Sequence, residues 1–452
     1  PRMNWAIDPT SFPTSCLEGS LALGPLLHGD HLDSPFELQS TLTSSDMNTA
    51  ALNPLDTEVK LADDAKIIGL VGLAHSGSHF SHLILPLMFP AFIKAFGLSY
   101  SELGFMMSVF FFISGVGQAG SGFVVDKIGA RPVMFLSLLL LSLGCFWCSN
   151  AQGYQDLILV GVLLGLGNCA FHPVDYTILN QRVSTKRIGY AYSAHGLTGN
   201  LGWALAPVFM VGITQMSNWQ TAFACAGILY LIIFVVLLVY RESILTKSHT
   251  KVKSPEEDEQ ISIFKLPVLW LCFSFFFFST MTLAVVQNYA VIILQSLYDV
   301  SLQSATMTLT SYMLCAAGGM LSGGFVVAKW PNHSDRVVGV CMSIGALLVA
   351  LCASVWLSGF WAMLVLALTG FALGIGGPSR DMMIRRATPK GATGRVYGVV
   401  YSGLDAGFAV APTLFGYFMD HAWFSGVLLC GAFTLLVSVF FAFAVGRQAS
   451  TT

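Results

Sequence analysis

The sequence predicts an all-α membrane protein whose twelve transmembrane helices form two pseudo-symmetric six-helix bundles. The first observation is composition: the 452 residues are 55% hydrophobic and only 10% charged. Soluble domains are usually about 25% charged, so this chain has too few charges to cover a surface exposed to water. The second is a series of twelve apolar stretches, each near the roughly 20 residues that cross a bilayer as a helix. The third is that the second half of the chain repeats features of the first.

Each predicted span is bounded by a charge, a proline or a short polar turn. The apolar stretches are continuous, unlike the alternating segments of roughly ten residues in membrane β-barrels, and helices are therefore predicted. The predicted spans cover residues 67–93, 103–125, 132–150, 156–181, 189–214, 219–240, 267–293, 302–327, 336–357, 360–384, 393–419 and 422–446.

Basic residues alternate between the predicted loops. Beyond the first span, nearly all of them lie in or beside the loops that follow even-numbered spans, with Lys94 as the exception. Because cytoplasmic loops carry the excess of Lys and Arg, both termini are predicted to be cytoplasmic. The alternation also supports the number of spans, because one missed helix would scramble it.

The distribution of charge divides the chain into five predicted segments. The polar and acidic N-terminal tail is predicted to be disordered and cytoplasmic. Because the chain begins with Pro1, and an ordinary short cytoplasmic lead follows Met47, we expect translation to start at Met47. The segments are the tail at 1–66, the N-terminal bundle at 67–241, a charged cytoplasmic linker at 242–265, the C-terminal bundle at 266–446 and a cytoplasmic tail at 447–452.

Two similar hexapeptides mark the internal repeat, GFVVDK at 122–127 and GFVVAK at 324–329. A shift of 205 residues aligns further positions, among them Pro173 with Pro378 and Pro207 with Pro412. Since each unit has six helices, both units cross the membrane in the same orientation. Parallel repeats about an axis along the membrane normal are the plan of one class of secondary transporter.

The sequence GFVVDKIGARP at 122–132 resembles the cytoplasmic signature of the major facilitator superfamily, Gly-x-x-x-Asp-Arg/Lys-x-Gly-Arg/Lys. It lies between the second and third spans, where the family has it, and Ala130 is a mild departure from the commonest form. The residues that fit are Gly122, Asp126, Lys127, Gly129 and Arg131.

A second resemblance is finer. FHP at 171–173, followed by GNLG at 199–202, is similar to the fosmidomycin-resistance branch of bacterial drug exporters. In that branch an acidic residue usually follows FHP directly, whereas here Val174 intervenes before Asp175. The resemblance implies a multi-pass transporter of the bacterial cytoplasmic (inner) membrane with a small-molecule substrate, surrounded by membrane lipid. It also implies function as a monomer, without nucleic acid and without enzymatic activity.

The signature residues are assigned to gating. The resemblance implies that Asp126 interacts with a neighbouring cation and with the N-terminal end of a helix from the other half, and so holds one conformation. The repeat has Ala328 in its place, so this latch belongs to the first half. The shift of 205 also places Asp175 opposite Arg380. Two alternatives stay open: an ion pair between the halves that closes a cytoplasmic gate, or separate pairs within each half, such as Arg380 with Asp381. The predicted gating residues are Gly122, Asp126, Lys127, Gly129, Arg131, Asp175 and Arg380.

The first span carries His75, His79 and His82, whose spacings of four and three place them on one helical face. We expect this face to point into the bundle or a wet cavity, because imidazoles facing lipid are costly. The histidines are either hydrogen-bonded interior residues or a stripe that binds substrate or protons, since histidine titrates near neutral pH. No metal site is predicted, because the acidic residues that usually complete one are not on this face.

Other polar residues lie within the spans. Asp405, near the middle of span eleven, is either a structural hydrogen-bond acceptor or a carboxylate that binds a proton or cation. The shift pairs Gln287 of span seven with His82. The predicted substrate- and proton-binding residues are His75, His79, His82, His172, His195, Gln287, Asn288 and Asp405.

No phosphate-binding loop of the Gly-x-x-x-x-Gly-Lys-Ser/Thr type occurs in the sequence, so a gradient is expected to supply the energy. No cofactor is predicted. The favoured function is proton-coupled export of a small organic compound or drug, an antiporter that works in efflux. The alternatives are import of a small organic anion by the same fold, a membrane receptor that does not transport, and an intramembrane enzyme.

Overall fold

The computed structural model describes residues 61–184, 187–247, 266–387 and 393–449. The predicted tail before residue 61, including Met47, the linker beyond residue 247 and residues 450–452 lie outside the described residues. Fourteen α-helices occur in the described ranges: α1 (Leu61–Ile84), α2 (Phe89–Phe96), α3 (Tyr100–Ile128), α4 (Ala130–Ser149), α5 (Tyr154–Asn168), α6 (Phe171–Arg182), α7 (Ile188–Met216), α8 (Trp219–Val239), α9 (Pro267–Tyr298), α10 (Leu302–Lys329), α11 (Ser334–Ala353), α12 (Gly359–Ala387), α13 (Thr393–Asp420) and α14 (Phe424–Ala449).

These helices form twelve segments that are long and apolar enough to cross a membrane. Two spans are interrupted: α1 and α2 together make the first, and α5 and α6 make the fourth. The prediction of an all-α membrane protein with twelve spans is confirmed. Because the number of spans is even, α1 begins and α14 ends at the same end of the bundle. We call it the terminal end, and the opposite end the distal end.

The interruption of the fourth span has a local cause. Helix α5 ends at Asn168 and α6 begins at Phe171, so the break precedes the FHP motif. Pro173 has no N–H to donate, and its ring would clash with the carbonyl of Cys169 in a continuous helix. The break makes His172 and Asp175 part of the first turns of a new helix, and this placement matters for the site described below.

The two halves meet closely at the distal end, where α3 packs against α13. A Cβ at Gly104 would lie 2.2 Å from the carbonyl oxygen of Pro412, so only glycine permits this approach. At the start of α3, the carboxylate of Asp420 accepts hydrogen bonds from the backbone N–H groups of Tyr100, at 2.6 Å, and Ser101, at 2.9 Å. A carboxylate at a helix N-terminus is favourable because of the helix dipole. The distal end is therefore closed by contacts between the halves.

At the terminal end, α1 begins earlier than predicted. Residues 61–66 were expected in the disordered tail, but they form the first turns of α1. Asp64 is fully buried there and accepts hydrogen bonds from the backbone N–H of Ser184, at 3.1 Å, and from Arg187, at 2.9 Å. This carboxylate joins the start of α1 to the loop between α6 and α7, which explains why the helix extends beyond the apolar stretch.

The first residues of the predicted linker also pack against the bundle. The backbone N–H of Ala130 donates to Thr246 Oγ1 at 2.8 Å, and Arg131 lies 3.3 Å from the carboxylate of Glu242. Gly129 has a φ of +86°, which favours glycine, and a Cβ there would lie 3.3 Å from Thr246 Oγ1. Residues 242–247 thus hold the signature loop between α3 and α4.

We predict that Asp64→Ala lowers the stability of the protein. The change removes the buried carboxylate that accepts hydrogen bonds from Arg187 and from the partly buried backbone N–H of Ser184, which typically costs about 1–3 kcal/mol. Asp63→Ala is the matched control, because Asp63 is the exposed neighbour on the same turn. Thermal unfolding of the purified protein in detergent measures both. Equal melting temperatures of the two variants would show that the Asp64 contact contributes nothing.

Candidate functional site

The three histidines of α1 lie in the interior of the bundle, as predicted. His75 and His82 are buried and His79 is half-buried. Helix α1 packs against α6 and α7, the helices that carry His172 and His195. The fold therefore collects five imidazoles from three helices of the first half. Together with Asp175 of α6 we call this group the His–Asp cluster: His75, His79, His82, His172, Asp175 and His195.

Asp175 is the centre of the cluster. Its Oδ2 atom lies 3.0 Å from Nδ1 of His75 and 3.1 Å from Nε2 of His195. All three side chains are almost completely shielded, with exposed fractions of 0%, 2% and 4% for Asp175, His75 and His195. The two imidazole rings stack with their centroids 3.5 Å apart. A carboxylate from α6 thus joins α1 to α7.

The other cluster histidines surround this pair. The ring of His79 lies 4.5 Å from that of His75 and 4.3 Å from that of Trp203, measured between centroids. Trp203 Nε1 donates a hydrogen bond to Nδ1 of His82 at 3.3 Å. Gly199 makes room for the rings, because a Cβ there would lie 2.8 Å from His79 Cε1. The GNLG motif therefore serves close packing of imidazoles, and Trp203, directly after it, is a site residue that the sequence analysis missed.

A further residue that the sequence analysis missed joins the cluster to the second half. Gln118 of α3 donates a hydrogen bond from Nε2 to Oδ2 of Asp405 on α13, at 3.1 Å. Its Oε1 atom lies 2.8 Å from Nδ1 of His172. Since Oε1 can only accept, Nδ1 of His172 is the donor in this arrangement. A Cβ at Gly115 would lie 2.9 Å from Cβ of Asp405, so the absence of a side chain lets α13 approach.

The two amides predicted on α9 are buried. Asn288 Nδ2 donates to the carbonyl oxygen of Ala284 at 2.7 Å. Both side-chain polar atoms of Gln287, and Oδ1 of Asn288, have no hydrogen-bond partner among the described residues. The repeat pairs Gln287 with His82, but the structure does not join them by a hydrogen bond within its described part. Buried amides without partners are costly, so these groups are candidates to meet a solute.

The predicted ion pair between Asp175 and Arg380 is not formed in this structure. Arg380 Nε donates to Oδ1 of Asp381 at 2.9 Å, and its guanidinium lies 5.2 Å from the centroid of the Phe276 ring. Asp175 is buried against two histidines of its own half. The structure therefore has the other alternative, separate pairs within each half. The physical reason is proximity: each charge finds a partner on its own helix or on a neighbour within the same bundle.

The remaining gating residues lie at the terminal end. Asp126 and Lys127 are exposed in the last turn of α3, and a Cβ at Gly122 would meet no atom within 4 Å among the described residues. Arg131 interacts with Glu242, and Gly129 lies close to Thr246, as described above. The role of Asp126 as a latch stays a prediction.

The cluster has the donor atoms of a metal site. Two groups have all their donor atoms within 4.8 Å of one another. One consists of His75, His79 and His172, and the other of His75, Asp175 and His195. The same imidazoles can also hydrogen-bond a polar solute.

Comparison with known proteins supports a transporter. The sequence profile of the Major Facilitator Superfamily matches residues 71–341 and 334–452. The probable L-galactonate transporter of Escherichia coli (strain K12) is 21% identical over 380 residues, 77% of this chain and 82% of that protein. The fosmidomycin resistance protein of the same organism is 22% identical over 269 residues, 58% of this chain and 65% of that protein. The chain spans less than two thirds of the length of most of the curated relatives it matches.

The fold is similar to that of a solved transporter. The crystal structure of a bacterial homologue of the human lysosomal transporter Spinster, in an inward-facing and occupied conformation, has a TM-score of 0.65 with 14% sequence identity. The similarity covers 86% of this chain and 97% of that one. With a profile match over most of the chain, transporters among its relatives and a shared fold, the chain belongs to the Major Facilitator Superfamily, whose members are membrane transporters and not enzymes.

Proposed function

We propose that the protein is a secondary active transporter that works by alternating access and couples export of a small organic compound to the movement of protons. The observation that carries this proposal is the hydrogen-bonded connection from His172 through Gln118 to Asp405. It joins the interior of the first half to a carboxylate of the second half. No cofactor is needed, because the proton gradient supplies the energy.

The connection supports coupling because it crosses the interface between the two halves, which must rearrange during alternating access. When the halves rock, α13 moves relative to α3, and the hydrogen bond between Gln118 and Asp405 breaks or forms. The surroundings of Asp405 therefore differ between the two conformations. A group that binds a proton more tightly in one conformation shifts the equilibrium between them, and the conformation in turn controls the proton. Asp405 is thus the proposed proton carrier, and His172 positions Gln118.

The contacts at the distal end support alternating access. Asp420 and the start of α3 belong to different halves, and their hydrogen bonds hold that end closed. Ser108 and Thr413, also from the two halves, lie 2.7 Å apart between their hydroxyl oxygens. Both are hydrogen-bonding contacts, whose groups can bond to water instead when the end opens. Opening the distal end requires that they break.

Similarity to the fosmidomycin resistance protein supports export of an organic compound. A second candidate is import of a small organic anion, and similarity to the probable L-galactonate transporter favours it. Arg380 is paired with Asp381 in this structure, so the imidazoles of the His–Asp cluster are the proposed partners of such an anion. Fosmidomycin and L-galactonate are therefore the first solutes to test.

The test is solute flux in proteoliposomes with and without a pH gradient. Flux that follows the gradient supports proton coupling, and its sign relative to the gradient separates export by antiport from import. Flux that ignores the gradient contradicts proton coupling. A protein that moves none of a broad set of compounds would support the alternative of a receptor that does not transport.

We predict that Asp405→Asn abolishes the response to the pH gradient. The amide keeps a similar shape and a hydrogen bond to Gln118, but it cannot release a proton. Gradient-driven accumulation should fall by roughly tenfold or more, equivalent to a loss of at least about 1.4 kcal/mol of coupling. Exchange of labelled for unlabelled solute without a gradient should continue. Accumulation at the wild-type level would exclude Asp405 as the carrier.

Asp299→Asn is the matched control for this change. Asp299 is an exposed carboxylate after α9, and its φ of +52° is a conformation that asparagine adopts readily. The same chemical change is made there outside the bundle interior. Its accumulation should equal that of the wild type.

We predict that Asp126→Asn slows transport by roughly tenfold, because a charge interaction at a helix end of about 1 kcal/mol or more is lost from one conformation only. The repeat offers the comparison: Ala328→Asp adds a carboxylate at the corresponding position of the second half and should not raise the rate. Initial rates in proteoliposomes measure both variants. An unchanged rate in Asp126→Asn would remove the latch from the proposed mechanism.

A further inference from the structure

The fold brings a carboxylate from another helix next to the histidines of α1. On α1 alone, the face with His75 and His79 has no acidic residue to complete a metal site. The break before α6 brings Asp175 against this face, and α7 adds His195. Two imidazole nitrogens therefore lie next to one buried carboxylate oxygen.

We propose that His75, Asp175 and His195 bind one divalent transition-metal ion of the zinc class, such as Zn²⁺, Co²⁺ or Ni²⁺. Their two nitrogens and one oxygen are ligands that these ions accept, whereas Mg²⁺ and Ca²⁺ prefer oxygen ligands. Three protein ligands leave a fourth coordination position to water or a solute.

The distances fit such an ion. Bonds of roughly 2.0–2.1 Å in a tetrahedral site separate the donor atoms by about 3.3 Å. In the structure, Oδ2 of Asp175 is 3.0 Å from Nδ1 of His75 and 3.1 Å from Nε2 of His195. All the donor atoms of the group lie within 4.8 Å of one another. The two rings are stacked with their centroids 3.5 Å apart, and an imidazole binds a metal in its own ring plane, so binding requires the rings to turn away from each other.

An independent observation points to a ligand. Within the described part of the chain, Oδ1 of Asp175 and Nδ1 of His75 are buried without a hydrogen-bond partner. The short distance from Nδ1 to Oδ2 lacks the geometry of a hydrogen bond. Polar atoms buried in this way are costly unless something binds them. A cation between the carboxylate and the imidazoles would satisfy both groups.

The negative charge of Asp175 favours the group of His75, Asp175 and His195 over the second group of possible metal ligands. The group of His75, His79 and His172 has three neutral ligands and would leave the whole charge of the ion in the bundle interior. Asp175 offsets one unit of that charge where the surroundings are apolar, which lowers the cost of burying the ion. Because His75 belongs to both groups, we assign one ion to the chain, at the group that contains Asp175.

The site goes beyond the proposed function and does not depend on it. All three ligands belong to the first half, on α1, α6 and α7, so the ion does not link the two halves and binding does not require rocking. The proposed proton carrier, Asp405, is not one of the ligands. Binding can therefore be measured on the purified protein without any transport assay.

The experiment is titration of the full-length protein in detergent with Zn²⁺ by calorimetry and with Co²⁺ by visible absorption. We expect saturable binding of one ion per chain, and a raised melting temperature with Zn²⁺. Asp175→Asn and His195→Gln should each weaken binding by at least about tenfold. His195→Glu keeps a ligand at that position and should retain Co²⁺ binding with a changed spectrum, which separates loss of a ligand from misfolding.

His421→Gln and His333→Gln are the controls, because both histidines are exposed and lie outside the cluster. They should bind as the wild type does. Absence of saturable binding in the wild type would overturn the proposal. Binding lost in either control would identify an adventitious surface site and overturn it as well. Binding lost in His79→Gln but kept in Asp175→Asn would assign the ion to the other group and contradict the proposal.

Discussion

The contact of Asp175 with two stacked imidazoles is the interaction on which the interior of the first half depends. A buried carboxylate is costly without polar partners, and here the partners come from two different helices: Nε2 of His195 is hydrogen-bonded to Oδ2 of Asp175 at 3.1 Å, and Nδ1 of His75 lies 3.0 Å from the same oxygen. Several local features follow from this requirement. Pro173 ends α5 and restarts the helix so that Asp175 faces α1, and Gly199 has no side chain where the rings must fit. Motifs that look unrelated in the sequence thus build one contact.

The same region also contains a polar contact between the two halves. The halves pack through close backbone approaches at glycines and through a few polar contacts. The glycine contacts have no polar side chain that could respond to a proton or a solute, whereas the polar contacts do. Gln118 is the polar contact nearest the cluster, since it bonds to His172 in one half and to Asp405 in the other. An amide can exchange partners without changing charge. It is therefore suited to an interface that forms and breaks in each cycle, where an ion pair would impose a larger desolvation cost each time.

The sequence predicts the features that periodicity and composition determine, and misses those that depend on the register between helices. Twelve spans and an inward-facing histidine stripe follow from apolar length and from spacings of four and three, and the structure has both. The partner of Asp175 does not follow, because the shift of 205 residues aligned it with Arg380 and left the histidines of its own half out of consideration. Gln118 lies in a glycine-rich stretch that indicates only close packing. Asp64 lies among acids of a polar tail, and only its burial distinguishes it from Asp63.

The repeat explains the backbone of both halves, but the polar side chains differ at nearly every corresponding position. His82 corresponds to Gln287, Asn200 to Asp405, and Asp175 to Arg380. The first half therefore presents imidazoles, while the second presents amides and one carboxylate joined to the first through Gln118. In the proposed mechanism, a solute between the halves would contact two chemically different surfaces on one pseudo-symmetric scaffold. If the halves rock as proposed, the two surfaces move relative to each other and the polar surroundings of the solute change asymmetrically. The proposed proton coupling requires such a difference between the two conformations.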